Sequence, residues 1–382
     1  MQRLRGKSID YNLGFEGRKV FKVTRNRNLP EALTNNCALI SDTPPETTYP
    51  MWISNLPPSN DLEITSDRLM LPKDLDYLTE GDIISISDRG DVTALFRTST
   101  NYNTFLLTER CNHYCLMCSQ PPKDVQDDWL LQQTFDAIRL IPKWAQRIGF
   151  SGGEPSIYGQ KLISLVDQCR AYLPDTMIDI LSNGRAFANT EYAKSLGNVG
   201  HKACMVCVPL YSHVPEIHNF VVQSEHAFDE TIEGIMNLKA VGVQVEIRIV
   251  IHNQTIDSLV DTCTYIANNL RFVDHVALMG LEITGFTRAN LDQLWIDPFD
   301  YKDQLSQAVR VLRSHGLTHS VYNHQLCTIN SDTVPSYAKS ISDWKNEYLP
   351  QCGECSKKSE CGGFFSSGIL YKHSDHIKPF DI

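Results

Sequence analysis

Three cysteines close together in the chain limit what this sequence can fold into more than any other feature. Cys111, Cys115 and Cys118 follow directly after an apolar run at 104–108. Thiolates with this C-x3-C-x2-C spacing on one tight loop can hold three irons of a [4Fe–4S] cluster, which leaves the fourth iron open to a small molecule. A zinc site and three unrelated thiols are the alternatives at this point.

Composition describes an ordinary globular protein with room for two or three domains. The 382 residues are 42% hydrophobic and 21% charged, with a formal net charge of −10 and 12 cysteines. The acidic balance argues against a nucleic-acid partner. The sequence has no long apolar run and no signal peptide behind its basic start, so we expect a cytoplasmic protein that does not enter a membrane. In that reducing compartment, cysteines serve metal or iron–sulfur sites rather than disulfides.

The order of predicted elements divides the chain into three parts. Residues 1–100 are predicted to be a β-rich domain, including a hairpin around 81–96. Strands and helices alternate over 101–300, and six apolar strands are predicted there, at 104–108, 147–150, 177–181, 202–210, 243–251 and 275–281. This α/β pattern predicts a partial (β/α)6 TIM-like barrel, in which chemistry takes place at the carboxyl ends of the strands. Residues 301–382 are predicted to be a small extension.

The second predicted strand runs into Gly152, Gly153, Glu154 and Pro155. Paired glycines let a backbone approach a ligand closely, and a carboxylate accepts hydrogen bonds from a protonated amine. A plain turn is the alternative. Because the segment follows a strand in the same predicted barrel as the cysteines, we expect a ligand site here.

Polar residues also stand at the ends of the next strands. Ser182 and Asn183 end the third strand and Ser212 follows the fourth. Their hydroxyl and amide groups are suited to hold a polar ligand. A β-turn and an ordinary strand-end serine are the alternatives.

Two charged residues complete the predicted barrel site. Arg248 lies inside the apolar fifth strand, where its guanidinium needs a partner. A ligand carboxylate is one such partner and Glu246 is the other. Glu282, after the sixth strand, is predicted to face the substrate and act catalytically.

The extension holds a second group of cysteines. Cys352, Cys355 and Cys361 are joined by Cys327 upstream, and four thiolates complete a cluster without an open iron. Structural zinc in the same four-thiolate shell is the alternative. The remaining cysteines are predicted to be buried core residues: Cys37, Cys169, Cys204, Cys207 and Cys263. The cations concentrated in residues 1–30 are either a solvated face or a docking surface for an acidic peptide.

Together these motifs resemble the radical S-adenosylmethionine (SAM) superfamily, in the cysteine loop and in the Gly-Gly-Glu-Pro segment. The runs 104–122, 245–252 and 280–285 resemble more narrowly the C-type maturase of the His-Xaa-Ser system, and this resemblance covers about residues 80–365. The C-terminal cysteines resemble a twitch or SPASM extension, although Phe365 stands where a full SPASM pattern has a cysteine. Met117 likewise replaces an aromatic residue common in the superfamily.

The resemblance implies a function. Cys111, Cys115 and Cys118 would bind a [4Fe–4S] cluster, while Gly152–Pro155, Ser182, Asn183, Ser212 and Arg248 would hold SAM. The extension would hold a second, auxiliary [4Fe–4S] cluster. The expected product of SAM cleavage is a 5′-deoxyadenosyl radical that abstracts hydrogen from a His-Xaa-Ser precursor peptide, with a crosslink or related oxidation as the result.

The resemblance also implies partners. These are the precursor peptide, a second radical SAM maturase and an electron donor such as a flavodoxin or ferredoxin. Three alternatives remain, namely a radical SAM enzyme that acts on another protein side chain or a small molecule, a scaffolding role beside a second maturase, and a zinc-binding interaction protein.

Overall fold

The computed structural model describes residues 3–45, 48–56, 67–339 and 346–381. The chain divides into two compact units. The first is built from Met1–Leu107, Asp127–Gly149 and Asp167–Met177, and the second from Thr108–Gln126, Phe150–Val166 and Ile178–Ile382.

An eight-stranded sheet forms most of the first unit. Its strands are β1 (Arg5–Lys7), β2 (Tyr11–Asn12), β3 (Arg18–Thr24), β4 (Cys37–Ile40), β5 (Met51–Ser54), β6 (Asp67–Met70), β7 (Ile83–Ser87) and β8 (Asp91–Phe96), with the short helix α1 (Glu31–Thr34) before β4. The strand order is β1-β8-β7-β3-β4-β5-β6-β2. The predicted hairpin is confirmed, because β7 and β8 pair antiparallel. Buried apolar side chains from β3 to β8 make its core.

Several of the N-terminal cations are paired within this unit. Arg3 contacts Asp74 at 3.0 Å, and the Arg18 guanidinium lies 4.2 Å from the centre of the Trp129 ring. Arg25 donates to the Leu78 carbonyl oxygen at 3.0 Å. These contacts favour the solvated basic face over a docking surface.

The alternating part of the chain forms a seven-stranded parallel sheet, as expected of a partial TIM-like barrel. Its strands are β9 (Tyr102–Leu106), β10 (Arg147–Ser151), β11 (Met177–Leu181), β12 (Cys204–Pro209), β13 (Gln244–Ile251), β14 (His275–Gly280) and β15 (His319–Tyr322). The order is β15-β14-β13-β12-β11-β10-β9, so neighbours in sequence are neighbours in space. All six predicted strands are present.

The seventh strand, β15, was not predicted and comes from the segment assigned to the extension. Only Val321 of its four residues is buried, so it lacks the apolar run that marks the other strands. It pairs parallel with β14 over 319–322. The domain limits 1–100, 101–300 and 301–382 therefore stay a prediction.

Ten helices follow along the alternating and C-terminal parts of the described chain. They are α2 (Asp128–Ile138), α3 (Gln160–Tyr172), α4 (Thr190–Val199), α5 (Pro215–Val222), α6 (Ala227–Ala240), α7 (Leu259–Asn269), α8 (Phe286–Ala289), α9 (Leu291–Leu294), α10 (Lys302–Ser314) and α11 (Ser366–Tyr371). Within the described ranges, no helix is both long and apolar enough to cross a membrane.

Parallel strands covered on both faces explain the apolar runs of the sequence. The first five residues of β12 are buried, Cys204 and Cys207 among them. Cys37, Cys169 and Cys263 are also buried, so the prediction of core cysteines is confirmed. Because β11 to β15 run in one direction and in register, the polar residues after each strand lie at one edge of the sheet.

Candidate iron–sulfur and ligand sites

The cysteine loop, residues 111–118, is held by its own backbone. Tyr114 donates its amide to the Val222 carbonyl oxygen at 3.1 Å, and Leu116 donates to that of Val221 at 2.9 Å. Both acceptors lie at the end of α5, where the last carbonyls of a helix have no partner inside the helix. The helix end therefore fixes the loop that presents the thiols.

A second segment, 285–290, holds the other side of the loop. The Phe286 amide donates to the Cys118 carbonyl oxygen at 2.8 Å, and the Thr287 hydroxyl donates to that of Met117 at 3.0 Å. Gly285 has φ +53, and a Cβ there would overlap the Cys118 carbonyl oxygen. Only glycine fits this close approach. The sequence analysis missed this contact, although Gly285 after a strand was a usable signal.

The environment of the thiols fits a cationic group. Burial raises the pKa of Cys111 to about 12, and burial also raises the pKa of Cys115 and of Cys118. The thiols lie close enough that Cys118 further raises the pKa of Cys111, and both raise that of Cys115. Three thiolates packed this way are stable only when metal charge offsets their repulsion. The donor set therefore suits an iron–sulfur cluster.

The Gly-Gly-Glu segment lies against the chain that leads into the cysteine loop. Gly153 donates its amide to the Thr108 carbonyl oxygen at 2.8 Å, and Glu154 donates to that of Arg110 at 2.8 Å. A Cβ on Gly152 would come within 2.6 Å of the Thr108 carbonyl oxygen, and one on Gly153 would overlap that of Arg110. The glycines thus allow two backbone segments to approach each other closely. From the sequence, this close approach had been predicted to serve a ligand.

Glu154 is a buried hub between two strand ends. Its carboxylate accepts from the Ser182 hydroxyl at 2.7 Å, from the Asn183 amide at 2.6 Å and from the Ser156 amide at 2.9 Å. The Asn183 side chain in turn donates to Asn112 in the cysteine loop at 2.6 Å. Burial raises the pKa of Glu154, while these hydrogen bonds oppose the rise. The predicted residues are therefore brought together, and their contacts link β10, β11 and the cysteine loop.

Pro155 and Ser212 have local roles. Pro155 begins a short 3-10 turn over Pro155–Tyr158, directly after Glu154. Ser212 is fully buried, with its oxygen 3.2 Å from the Ser258 hydroxyl, and it accepts from the Val214 amide at 3.1 Å. These contacts are those of an ordinary strand-end serine, which was the alternative interpretation of Ser212. Its predicted contact with SAM stays a prediction.

Arg248 is paired with Glu246, one of the two partners predicted for it from the sequence. Its Nε lies 2.5 Å from a Glu246 carboxylate oxygen, and the other oxygen of Glu246 lies 2.8 Å from His275 Nδ1. His275 Nε2 is 3.0 Å from the Ser320 hydroxyl. Burial alone would raise the pKa of Glu246, but His275 and Arg248 lower it to about 2. This polar row crosses β13, β14 and β15 on one face, and the binding of SAM by Arg248 stays a prediction.

Glu282 follows β14, as predicted. It is half-buried, and its side chain makes no hydrogen bond or ion pair with the described residues. Its carbonyl oxygen accepts from the Thr284 amide at 3.0 Å. A carboxylate without a partner is available to a substrate, so its catalytic assignment remains a prediction.

The C-terminal cysteines come together around one cavity. Its volume is about 380 Å³, and the thiol-bearing residues Cys327, Cys352, Cys355 and Cys361 all line it. We name it the four-thiol cavity. Across the described residues, no three His, Cys, Asp or Glu side chains are arranged to hold a single metal ion.

Backbone amides and cations complete the four-thiol cavity. Gly363 donates its amide to Cys361 Sγ at 3.4 Å, and Phe380 donates to Cys355 Sγ at 3.3 Å. The Lys378 amide bonds to the Cys327 thiol and lowers its pKa, against the larger opposing effect of burial. Lysines 357, 358 and 378 line the cavity. Amide donors and cations suit the negative charge of a cluster held by four thiolates. The sequence analysis missed the 377–380 segment.

Two of the buried histidines are His113 in the cysteine loop and His252 directly after β13. His113 is 3% exposed, and His252 is fully buried. Neither ring nitrogen of either residue has a hydrogen-bond partner among the described residues. Burial and the charge of Arg185 lower the pKa of His113 to about 3, so its ring is neutral at physiological pH. Their buried positions are not visible in the sequence, because the histidines are scattered along it.

Comparisons with known proteins give one family match. The family described as "Radical SAM superfamily" matches residues 105–266. This range includes the cysteine loop, the Gly-Gly-Glu-Pro segment and the strands up to β13. A comparison with curated proteins finds no matching sequence.

Solved structures show limited likeness. SuiB of Streptococcus suis is similar over 58% of this chain and 49% of that chain, at 15% identity and a TM-score of 0.45. The structure of anSMEcpe with bound AdoMet is similar over 57% of this chain and 62% of that chain, at 17% identity and a TM-score of 0.44. Methylornithine synthase (PylB) is similar over 58% of this chain and 64% of that chain, at 13% identity and a TM-score of 0.43. This chain thus spans about half the length of SuiB.

Proposed function

We propose that the chain is a SAM-dependent iron–sulfur enzyme, because residues 105–266 match the radical SAM superfamily. In this proposal it abstracts hydrogen from a ribosomally synthesised peptide. The observation that carries the proposal is the cysteine loop, whose backbone donates hydrogen bonds to carbonyl oxygens of α5 and accepts them from the 285–290 segment. Three thiols, rather than four, leave one iron open to bind SAM.

The chain's own residues bind and orient the cofactors. Cys111, Cys115 and Cys118 would hold the cluster, which with bound SAM supplies the 5′-deoxyadenosyl radical. Glu154 fixes Ser182 and Asn183 at the end of β11, where their polar groups lie beside the loop. Buried apolar neighbours of the loop, including Met117 and Tyr211, limit the access of water. Gly152, Gly153, Ser212 and Arg248 stay proposed SAM contacts, and Glu282 stays the proposed catalytic residue.

The four-thiol cavity is the proposed site of an auxiliary [4Fe–4S] cluster. Its support is the set of four thiols with three backbone amides donating to sulfur. Because all four positions are protein thiols, such a cluster would have no open iron. It would serve to carry electrons rather than to bind SAM.

The proposed substrate is a precursor peptide with His-Xaa-Ser repeats, modified by a crosslink or a related oxidation. The support is the resemblance of 104–122, 245–252 and 280–285 to the C-type maturase of that system. A second radical SAM maturase and a flavodoxin or ferredoxin are the proposed partners.

Anaerobic coexpression with the precursor peptide tests this function. We expect a mass change in the peptide that is absent when Cys111, Cys115 and Cys118 are replaced by alanine, and 5′-deoxyadenosine from the isolated chain with SAM and reductant. Cys37→Ala, outside both thiol groups, is the matched control. If 5′-deoxyadenosine forms and no peptide mass change occurs, the substrate is another side chain or a small molecule. Absence of 5′-deoxyadenosine from a fully loaded chain would leave the scaffolding role.

A further inference from the structure

A cavity of about 720 Å³ lies where β14 and β15 end. Gly280 and Leu281 line it at the end of β14, and Asn323 lines it just after β15. The other walls come from 295–301 and from the C-terminal segment 362–374. The volume includes space that is open to solvent. Carboxyl ends of parallel strands are where ligands bind in barrels of this kind.

The walls of this cavity, which we name the strand-end cavity, are aromatic. Trp295, Tyr301, Phe364 and Phe365 all line it. The Tyr301 hydroxyl lies 2.8 Å from His324 Nε2, so its polar atom is already paired. Flat apolar walls favour a planar ring, because rings stack or meet edge to face with other rings.

One polar atom in the cavity wall lacks a partner. Ser367 lines the cavity and is 7% exposed, and its hydroxyl has no hydrogen-bond partner in the described parts of the chain. A buried hydroxyl left unpaired costs free energy that a ligand atom can recover. A ring that carries a nitrogen or a hydroxyl supplies such an atom, whereas an aliphatic side chain does not.

The charge near the cavity selects against cations. Lys372 lines it with Nζ 4.8 Å from the centre of the Trp295 ring, and it forms no ion pair with the described residues. Because Lys372 is exposed, its ammonium group disfavours the side chains of lysine and arginine only weakly, and salt screens the effect. The same charge accepts a neutral imidazole or phenol.

The strand-end cavity shares a wall with the four-thiol cavity. Gln325, Gly363 and Phe364 line both. The Gln325 side chain donates to the Gly363 carbonyl oxygen at 2.8 Å, and the Gly363 amide donates to Cys361 Sγ at 3.4 Å. A ring bound in the cavity would therefore be separated from the thiols by one backbone segment.

We propose that the strand-end cavity is a specificity subsite that takes an imidazole or phenol side chain of the peptide substrate. Trp295 and Phe364 form its walls, and Ser367 is the specificity-determining residue that hydrogen-bonds the ring's polar atom. This proposal rests on the proposed peptide-modifying function and adds the class of side chain recognised.

Peptide binding to the anaerobically loaded enzyme tests the subsite. The probes are fluorescein-labelled Gly-Ser-Gly-Xaa-Gly-Ser-Gly peptides with His, Tyr, Phe, Leu or Lys at Xaa, followed by anisotropy. We expect the His and Tyr peptides to bind about tenfold more tightly than the Leu and Lys peptides. Ser367→Ala removes the advantage of Tyr over Phe, and Trp295→Ala removes the advantage of every ring over Leu.

Matched controls keep the result interpretable. Ser359→Ala changes an exposed serine, Trp144→Ala an exposed tryptophan, and both should leave every affinity unchanged. Uncoupled SAM cleavage and thermal unfolding are measured for each variant, and Trp295→Leu replaces Trp295→Ala if the latter does not fold. Equal affinities for all five peptides, or a Tyr advantage that survives Ser367→Ala, would overturn the subsite. If SAM cleavage remains in that case, the proposed function stands without it.

Discussion

The two thiol sites of this chain differ in how many segments build them. The cysteine loop contributes Cys111, Cys115 and Cys118 from one short stretch, and other parts of the chain hold only its backbone. The four-thiol cavity instead combines Cys327 with the 352–361 and 377–380 segments. A local site is written in the spacing of its residues, whereas an assembled site depends on tertiary packing.

The sites also differ in what their thiols leave free. Three thiols would leave a fourth iron of a cluster open, and polar groups of Asn183 and Glu154 lie beside the loop, where Asn183 donates to Asn112. Four thiols leave none, and the amides of Gly363 and Phe380 already donate to two of the sulfurs. We infer that the first site is built for ligand chemistry and the second for holding a closed redox centre.

Removing the first site gives the largest expected effect. With Cys111, Cys115 and Cys118 all replaced by alanine, iron should fall from about eight to about four per chain. SAM cleavage should fall by roughly a thousandfold or more, because no iron remains to bind SAM. Iron assay and 5′-deoxyadenosine quantification measure both, with Cys37→Ala as control. Residual cleavage above about a tenth of wild type would show that the sites are not functionally distinct.

Removing the second site should separate the two roles. Cys352→Ala with Cys355→Ala should also reduce iron to about four per chain. Uncoupled SAM cleavage should stay within about threefold of wild type, because the open iron belongs to the other site. Iron and zinc assays with the same product measurement check this. Loss of about one zinc and no iron would contradict the auxiliary cluster and favour structural zinc.

A matched pair of glycines tests how each site is packed. Gly153→Ala should lower the free energy of unfolding by about 1–3 kcal/mol, because its Cβ would overlap the Arg110 carbonyl oxygen next to the cysteine loop. Gly353→Ala should have little effect, since a Cβ there meets no atom within 4 Å. Urea unfolding and iron content measure both. Equal losses of unfolding free energy in the two variants would show that close backbone packing is not specific to the first site.

Loss of one side-chain hydroxyl gives the smallest expected effect. Thr287→Val removes the donor to the Met117 carbonyl oxygen. Tyr337→Phe removes a hydroxyl that accepts from the Gly362 amide beside Cys361 and donates to the His324 carbonyl oxygen. The free energy of unfolding should fall by about 1 kcal/mol for Thr287→Val and by about 2 kcal/mol for Tyr337→Phe. Thr287→Val should lower cluster occupancy only in the loop, and Tyr337→Phe only in the four-thiol cavity.

Both variants are made in chains that keep only one of the two thiol sites. Absorbance of the reconstituted cluster, in backgrounds where the other site has been removed, separates the two effects. A loss in the unexpected site would show that the two thiol sites are coupled.

Sequence reasoning predicted the barrel strands because long apolar runs mark strands that are buried on both faces. The strand Met177–Leu181 has the predicted bounds, and Gln244–Ile251 begins one residue later than predicted. Sequence reasoning missed β15, where only Val321 is buried. An edge strand with one buried residue carries too little periodic signal to be recognised.

The partners of charged and polar residues were predicted only in part. Arg248 was expected to need a partner, and a ligand carboxylate was preferred over Glu246, whereas the structure pairs it with Glu246. His275 and Ser320, which extend that row, come from two later strands. Pair contacts between distant strands depend on register, and register is set only when the sheet forms.

The sequence alone determined the thiols of the cysteine loop and the Gly-Gly-Glu-Pro segment, local patterns that lie in the range matched by the radical SAM superfamily, residues 105–266. Only the tertiary structure decided why Gly152 and Gly153 are needed, since the atoms they would strike belong to Thr108 and Arg110. It likewise decided that Lys378 and Phe380 donate to the thiols of the second site. Contacts between residues far apart in sequence exist only after the chain has packed.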